Sequence, residues 1–331
     1  MKKVLLLSPK FNNITDFFIK AIQDNNCQVF SLEFSPYGMD TALLKMLHYA
    51  DEVAVEKKRK KFNSKALEKF HEVVPDVVIV IRGDYMQKEI LQAMKSAKLI
   101  LWMYDSIRRY PKMIENIELY DNVYTFDIED NQALQMKHNN SSFLPLAYDE
   151  KTYFPKKLKK DVDISFVGAL YPDRIELLEK VIADFPDLNI KVYGIYQFKR
   201  YIFSYIKFLM SGKKRWFKNK KLSHKKCNDL YNRSKICINI LPEQYIEEWN
   251  ARFFELNGSN SFQLVTKSKM TEKYYKDSVV TYSNYQDLKD KIQFYLSNDS
   301  ARETIAEKAF NYSKIHDQYK NRFNKILKEC K

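Results

Sequence analysis

Two hydrophobic rhythms alternate along the first half of the chain. Short apolar runs rich in branched side chains occur at Lys3–Leu7, Gln28–Glu33, Val77–Ile81, Leu99–Trp102, Val123–Phe126 and Phe143–Leu146. Their length and composition predict strands. Between them, apolar positions recur every three or four residues at Ile14–Asn25, Thr41–Ala50, Ser64–Val73, Met86–Ser96, Ile107–Leu119 and Glu129–His138. That spacing predicts helices, and the alternation predicts βαβ units around a parallel sheet.

The rhythm stops at Tyr148–Lys160, a stretch with Pro155, many lysines and little apolar content, which reads as a linker. It then restarts with a strand at Val162–Val167, Gly168, a helix at Asp173–Phe185, a strand at Ile190–Tyr193 and Gly194. Further on, Ile236–Leu241 is a strand that breaks at Pro242. A turn of amphipathic helix follows around Phe253 and Phe254, then a strand at Phe262–Val265. A helix at Thr271–Tyr275, a strand at Val279–Tyr282 and helices at Tyr285–Ser297, Ala301–Tyr312 and Gln318–Lys328 complete the chain. The expected organisation is α/β: a domain over 1–155, a second over 156–315, and a terminal helix within 316–331 packing back on the first.

Composition narrows the function. At 331 residues, 45% of them apolar, the chain can bury two cores. No apolar run reaches the roughly 20 residues of a membrane span. Lys2–Leu7 is too short for a signal-peptide core, so a cytoplasmic location is expected. The four cysteines lack C-x-x-C spacing, and the five histidines form no H-x-x-x-H pattern, so no metal site is expected. The six glycines form neither G-x-G-x-x-G nor G-x-x-x-x-G-K-[ST], which removes the usual nicotinamide and P-loop classes.

The net charge is +14, and much of it lies in one segment, 198–226. That segment has eleven Lys or Arg, no acid and interleaved aromatics. It reads as an insertion, with Lys213, Lys214, Arg215, Trp216 and Phe217 suited to an anionic membrane surface. The same composition also suits nucleic acid or a merely solvated insertion, with nucleic acid the least favoured.

Several residues could carry chemistry. Gly168 follows a strand and precedes a helix, where backbone can approach a diphosphate and the helix N-terminus favours negative charge; the plain alternative is a simple βα turn. Tyr171 and Arg174 lie in the same loop and first turn. At the carboxyl end of the Ile236–Leu241 strand, Glu247, Asn250, Arg252 and Glu255 would cluster where open α/β sheets hold ligands. Arg252 and Glu255 share a helix face, as an intrahelical ion pair also would. Asp105 ends a strand and is either a base toward an acceptor hydroxyl or a helix N-cap.

The run Asp163–Arg174 (DISFVGALYPDR) resembles the start of the C-terminal domain in CgeB-like glycosyltransferases, the spore-maturation and capsule-associated group. Leu101–Ser106 with Arg109-Tyr110-Pro111, Phe143–Asp149, Asn250–Glu255 and Tyr282–Ala309 are similar to other parts of the same family. The resemblance implies GT-B architecture, with two Rossmann-like domains facing across a cleft. It implies a nucleotide-sugar donor, a UDP-sugar first among them, held by the second domain through Gly168, Tyr171, Arg174, Glu247, Asn250, Glu255 and Gly258. Arg252 would stabilise the departing diphosphate, Glu255 would bind ribose, and Asp105 would serve the acceptor. The acceptor would be a cell-surface glycan, a lipid-linked glycan or a protein. No metal or other cofactor is implied.

Glu247 and Glu255 have the E-x7-E spacing of retaining relatives, but the usual glycine between them is absent and Asn250 stands near its place. Asn260 stands where a glycine is usual. Two rival readings are a non-catalytic nucleotide-sugar-binding protein of surface assembly and a nucleic-acid-binding protein using 198–226. Location at the inner membrane face would follow if the basic segment docks there.

Overall fold

The computed structural model describes residues 1–11, 13–35, 52–138, 140–196, 206, 208, 210, 212, 215–241 and 249–329. The chain forms two compact units. One comprises Met1–Leu146 and Tyr319–Lys331, the other Ala147–Gln318.

The first unit is built on six strands: β1 (Lys2–Pro9), β2 (Cys27–Phe34), β3 (Val77–Ile81), β4 (Lys98–Met103), β5 (Asn122–Thr125) and β6 (Ser141–Phe143). They pair in the order β2-β1-β3-β4-β5-β6, every pair parallel. Side chains alternate across the sheet. Leu5, Leu7, Val78, Val80, Leu99 and Leu101 point into one buried cluster. Trp102 faces the other way, against Phe18 of α1 (Ile14–Gln23) and Phe323 of the terminal helix, with ring centroids 5.5 Å from each. Burial on both faces is why β1, β3 and β4 read as unbroken apolar runs.

The other helices here are α2 (Glu52–Val73), α3 (Lys88–Ala93) and α4 (Ile128–Gln135). α2 begins well before Ser64 and takes in the basic run Lys57–Lys61. The expected helix at Thr41–Ala50 lies outside the described residues. Ile107–Leu119 is not α-helical: it forms 3₁₀ turns at Ile107–Arg109 and Pro111–Leu119. Pro111 has no N–H to offer an α-helical ladder through that point.

The second unit holds β7 (Val162–Val167), α5 (Pro172–Asp184), β8 (Ile190–Gly194), β9 (Phe217–Asn219), α6 (His224–Arg233), β10 (Ser234–Asn239), α7 (Ala251–Gly258), β11 (Gln263–Thr266), α8 (Lys269–Tyr274), β12 (Val280–Tyr282), α9 (Tyr285–Ser297) and α10 (Asp299–His316). Its sheet is also parallel throughout, ordered β12-β11-β10-β7-β8-β9. β9 and α6 have no counterpart in the sequence expectation. Both fall in or beside the basic segment, so 198–226 does not behave as an insertion to its end.

The expected break at 155 also differs. Residues 147–155 count with the second unit, because Tyr148 and Tyr153 are buried there and Tyr148 packs on Gly258. The terminal helix α11 (Tyr319–Lys328) counts with the first unit. Phe323 meets Phe18 at 5.4 Å between ring centroids, and the Asn25 amide donates to the Lys320 carbonyl at 2.9 Å.

Candidate functional site

In the second sheet the chain runs from β7 outward to β8 and β9, then returns to the other side of β7 with β10. The strand order reverses between β7 and β10. In open α/β sheets, ligands bind outside the carboxyl ends of the strands at such a reversal.

Gly168 closes β7 at this point. A Cβ there would lie 2.8 Å from the Phe166 ring and 3.5 Å from the Arg252 guanidinium carbon, so Arg252 stands directly over the glycine. Arg174 is in the first turn of α5 and is buried, 5% exposed. One of its terminal nitrogens donates to the Ala169 carbonyl at 3.1 Å, and its guanidinium lies 5.5 Å from the Tyr171 ring centroid. Its Nε has no partner among the described residues. Burial, with Arg252 nearby, pushes Arg174 down to about 10. Neither arginine has a carboxylate in ion-pair range among the described residues. Two cations, a close backbone and the N-terminus of α5 are groups that attract an anion.

A buried amide network seats α7 beside them. Asn250 is the N-cap of α7: its Oδ1 accepts from Phe253 N at 3.0 Å, and its Nδ2 donates to Asn239 Oδ1 at 2.8 Å. Asn239 in turn donates to Gln263 Oε1 at 3.1 Å, and Gln263 donates to Asn257 Oδ1 at 2.6 Å. The network ties the helix to the ends of β10 and β11 and fixes where Arg252 points. Asn250 thus has a structural role in addition to its expected one. Asn260, just after α7, has φ 51, the left-handed conformation a glycine would adopt there. Gly258 is a packing glycine: a Cβ on it would overlap the Tyr148 ring.

Glu255, one turn after Arg252, is half-buried and turns toward α6. Tyr231 donates to its Oε2 at 3.3 Å. Tyr153 also faces this carboxylate, and its hydroxyl lies 2.6 Å from His224 Nδ1. Sequence reasoning missed Tyr153, His224 and Tyr231. The available signal was the spacing of His224, Cys227 and Tyr231, which puts all three on one helix face. Glu247 lies outside the described residues.

In the first unit, Asp105 follows β4. It accepts from Ser106 N at 3.0 Å, from an Arg109 terminal nitrogen at 3.0 Å and from Tyr110 Oη at 3.2 Å. The cap of the next turn is Ser106, whose hydroxyl accepts from Arg108 N at 3.3 Å. Beside them Arg82, with φ 73, pairs with Asp84 and lies 4.6 Å from the Tyr110 ring centroid. A carboxylate already held by arginine and tyrosine donors suits orientation of a hydroxyl better than proton abstraction.

Of the expected membrane face, Lys213 and Lys214 lie outside the described residues. Arg215 is exposed and stacks 3.7 Å from the Trp216 ring centroid. Phe217 is not a surface residue: as the first residue of β9 it is 3% exposed and packs against Phe208 at 4.9 Å between ring centroids. Among the described residues no cluster of His, Cys, Asp and Glu could hold a metal ion, and no helix is long and apolar enough to cross a membrane.

Residues 174–328 match a family model described as glycosyl transferase-like. No curated protein matches the chain. Among solved structures, sucrose-phosphate synthase from Thermosynechococcus elongatus is similar with a TM-score of 0.73, at 11% identity over 99% of both chains. Anabaena HepE in complex with UDP and glucose is similar with a TM-score of 0.68, at 11% identity over 99% of both chains. An α,α-trehalose 6-phosphate synthase from Burkholderia multivorans follows at 0.66, with 11% identity over 99% of this chain and 98% of that one. At such identity the likeness is one of fold.

Proposed function

We propose that this chain, which has the two six-stranded parallel α/β units of GT-B glycosyltransferases and matches a glycosyl transferase-like family over residues 174–328, transfers a sugar from a UDP-sugar to a glycan or lipid-linked acceptor. The observation that carries the reading is Arg252 over Gly168 with Arg174 on the adjacent Ala169 carbonyl, two cations at the carboxyl end of β7 with no carboxylate in ion-pair range among the described residues. HepE, with the same fold, is a complex with UDP and glucose, which supports a uridine nucleotide here.

In the reaction the bond from the anomeric carbon to the β-phosphate oxygen breaks, and its electron pair leaves with the diphosphate. The acceptor oxygen forms the new bond and passes its proton to the departing diphosphate. Charge grows on the β-phosphate as it departs, and preorganised cations lower the energy of that state more than that of the bound donor. Arg252 and Arg174 take that role. Glu255 accepts from the ribose hydroxyls, Gly168 lets the backbone approach the diphosphate, and Asp105 orients the acceptor hydroxyl. The Glu247–Glu255 spacing supports retention at the anomeric centre. The motif resemblance supports a CgeB-like specificity. The exposed Arg215, Lys218, Lys220, Lys225 and Lys226 fit an anionic membrane surface, which flotation with anionic and neutral vesicles tests.

The main test is thermal stabilisation of the full chain by a nucleotide-sugar panel, followed by transfer assays with the donor that shifts it. The expected result is stabilisation by UDP and one UDP-sugar that Arg252→Ala abolishes. No shift with any nucleotide overturns the reading.

A further inference from the structure

We infer that Tyr231 and Tyr153, the latter held by His224, are positioning residues that aim the Glu255 carboxylate at the ribose of the bound nucleotide. The inference rests on the donor reading above and adds to it a layer of residues that do not touch the ligand.

The geometry is a chain of polar groups between two helices. α6 presents His224, Cys227 and Tyr231 on one face. Tyr231 donates to Glu255 Oε2 at 3.3 Å. Tyr153, which precedes β7, is 1% exposed and stacks on Tyr231 with ring centroids 6.3 Å apart and planes 22° from parallel. Its hydroxyl meets His224 Nδ1 at 2.6 Å and faces Glu255. Phenylalanine would fill both positions equally well. The hydroxyls are buried polar atoms that need partners: Tyr231 has Glu255, and Tyr153 has His224 with the Glu255 charge nearby.

The Tyr153 phenol has one hydrogen and two acceptors in reach, the imidazole and the carboxylate. When Nδ1 of His224 carries a hydrogen, it donates to the Tyr153 oxygen and the phenolic hydrogen is left for Glu255. When Nδ1 is bare, the phenol donates to it instead. His224 therefore decides whether Glu255 receives one phenolic hydrogen or two. A glutamate so pinned meets the ligand in one rotamer, and less side-chain freedom is lost on binding. Burial and the Glu255 charge push both phenols well above their ordinary range, so both stay protonated as donors.

The test is calorimetric titration of the full chain with UDP and with 2′-deoxy-UDP. Wild type is expected to prefer UDP by about tenfold, since a hydrogen bond to a charged carboxylate is at stake. Tyr231→Phe and Tyr153→Phe are each expected to cut that preference by about threefold or more while leaving 2′-deoxy-UDP affinity unchanged. His224→Leu removes the competing acceptor and leaves the phenolic hydrogen to Glu255, so it should keep the preference that Tyr153→Phe loses. A purely structural role weakens both ligands together. If wild type binds both nucleotides and the tyrosine variants keep its preference, the inference is overturned and the donor reading stands. If wild type binds neither, both fall.

Discussion

The backbone of Gly194 runs so close to Gly168 that a Cβ on Gly194 would overlap the Gly168 carbonyl oxygen, with the carbonyl carbon 2.9 Å away and Leu170 Cγ 3.0 Å away. The two glycines end adjacent parallel strands, β7 and β8, and Gly168 N donates to Tyr193 O at 2.9 Å. Gly194→Ala pushes against backbone, which cannot rotate away, and should cost about 1–3 kcal/mol of stability in urea unfolding. It should also weaken UDP binding, because the Gly168 loop must move. Unchanged stability would mean that the strand ends are looser than this contact requires.

Arg174 predicts opposite signs for stability and binding. A buried cation without a carboxylate partner destabilises the free protein, and an apolar side chain of similar length removes that penalty. Arg174→Met is expected to stabilise the unliganded chain by about 1 kcal/mol and to weaken UDP affinity by about tenfold or more. Thermal unfolding with and without UDP checks both, and a loss of stability without ligand would contradict the argument.

Cys227 gives a pH dependence. Burial, with the nearby Glu255 charge, pushes its thiol from 9.0 up to about 12. Between those values the unfolded chain releases a proton that the native chain keeps, so stability falls as pH rises, approaching about 1.4 kcal/mol per pH unit from this group. Tyr153 and Tyr231, also raised, add to the slope above pH 10. Cys227→Ala should flatten the decline between pH 9 and 10 in urea unfolding. An unaltered slope would assign the decline to other groups.

Val74 follows α2 with φ 47, and its N–H donates to Phe70 O at 2.9 Å. This is the left-handed position after a helix that favours glycine, and a β-branched side chain there is strained. Val74 is 72% exposed, so little packing is lost on its removal. Val74→Gly is expected to stabilise the first unit by about 1 kcal/mol, measured as a raised urea midpoint.

The inner strands β1, β3 and β4 of the first sheet were legible because both faces of each are buried, which leaves unbroken apolar runs such as Val77–Ile81. β9 was not: Lys218 and Asn219 are exposed at the sheet edge, and a three-residue edge strand carries too little pattern to stand out from a basic segment. Phe217 was misread for the same reason, since an aromatic among lysines looks like a surface anchor until the sheet buries it. Ile107–Leu119 has helical spacing, but spacing alone does not separate 3₁₀ turns from an α-helix.

By itself, the sequence determined that there are two α/β units, that the chain carries no glycine-rich phosphate motif, and that Gly168, Arg174, Arg252 and Glu255 are candidates for a site. Hydrophobic period and glycine count are local properties, so local reading recovers them. Tertiary structure decided which of these residues meet. Arg252 reaches the loop after β7, where Arg174 already sits, only because β10 returns beside β7. Tyr231 meets Glu255 only because α6 packs beside α7. Such meetings depend on strand order and helix packing, and no spacing within the chain encodes them.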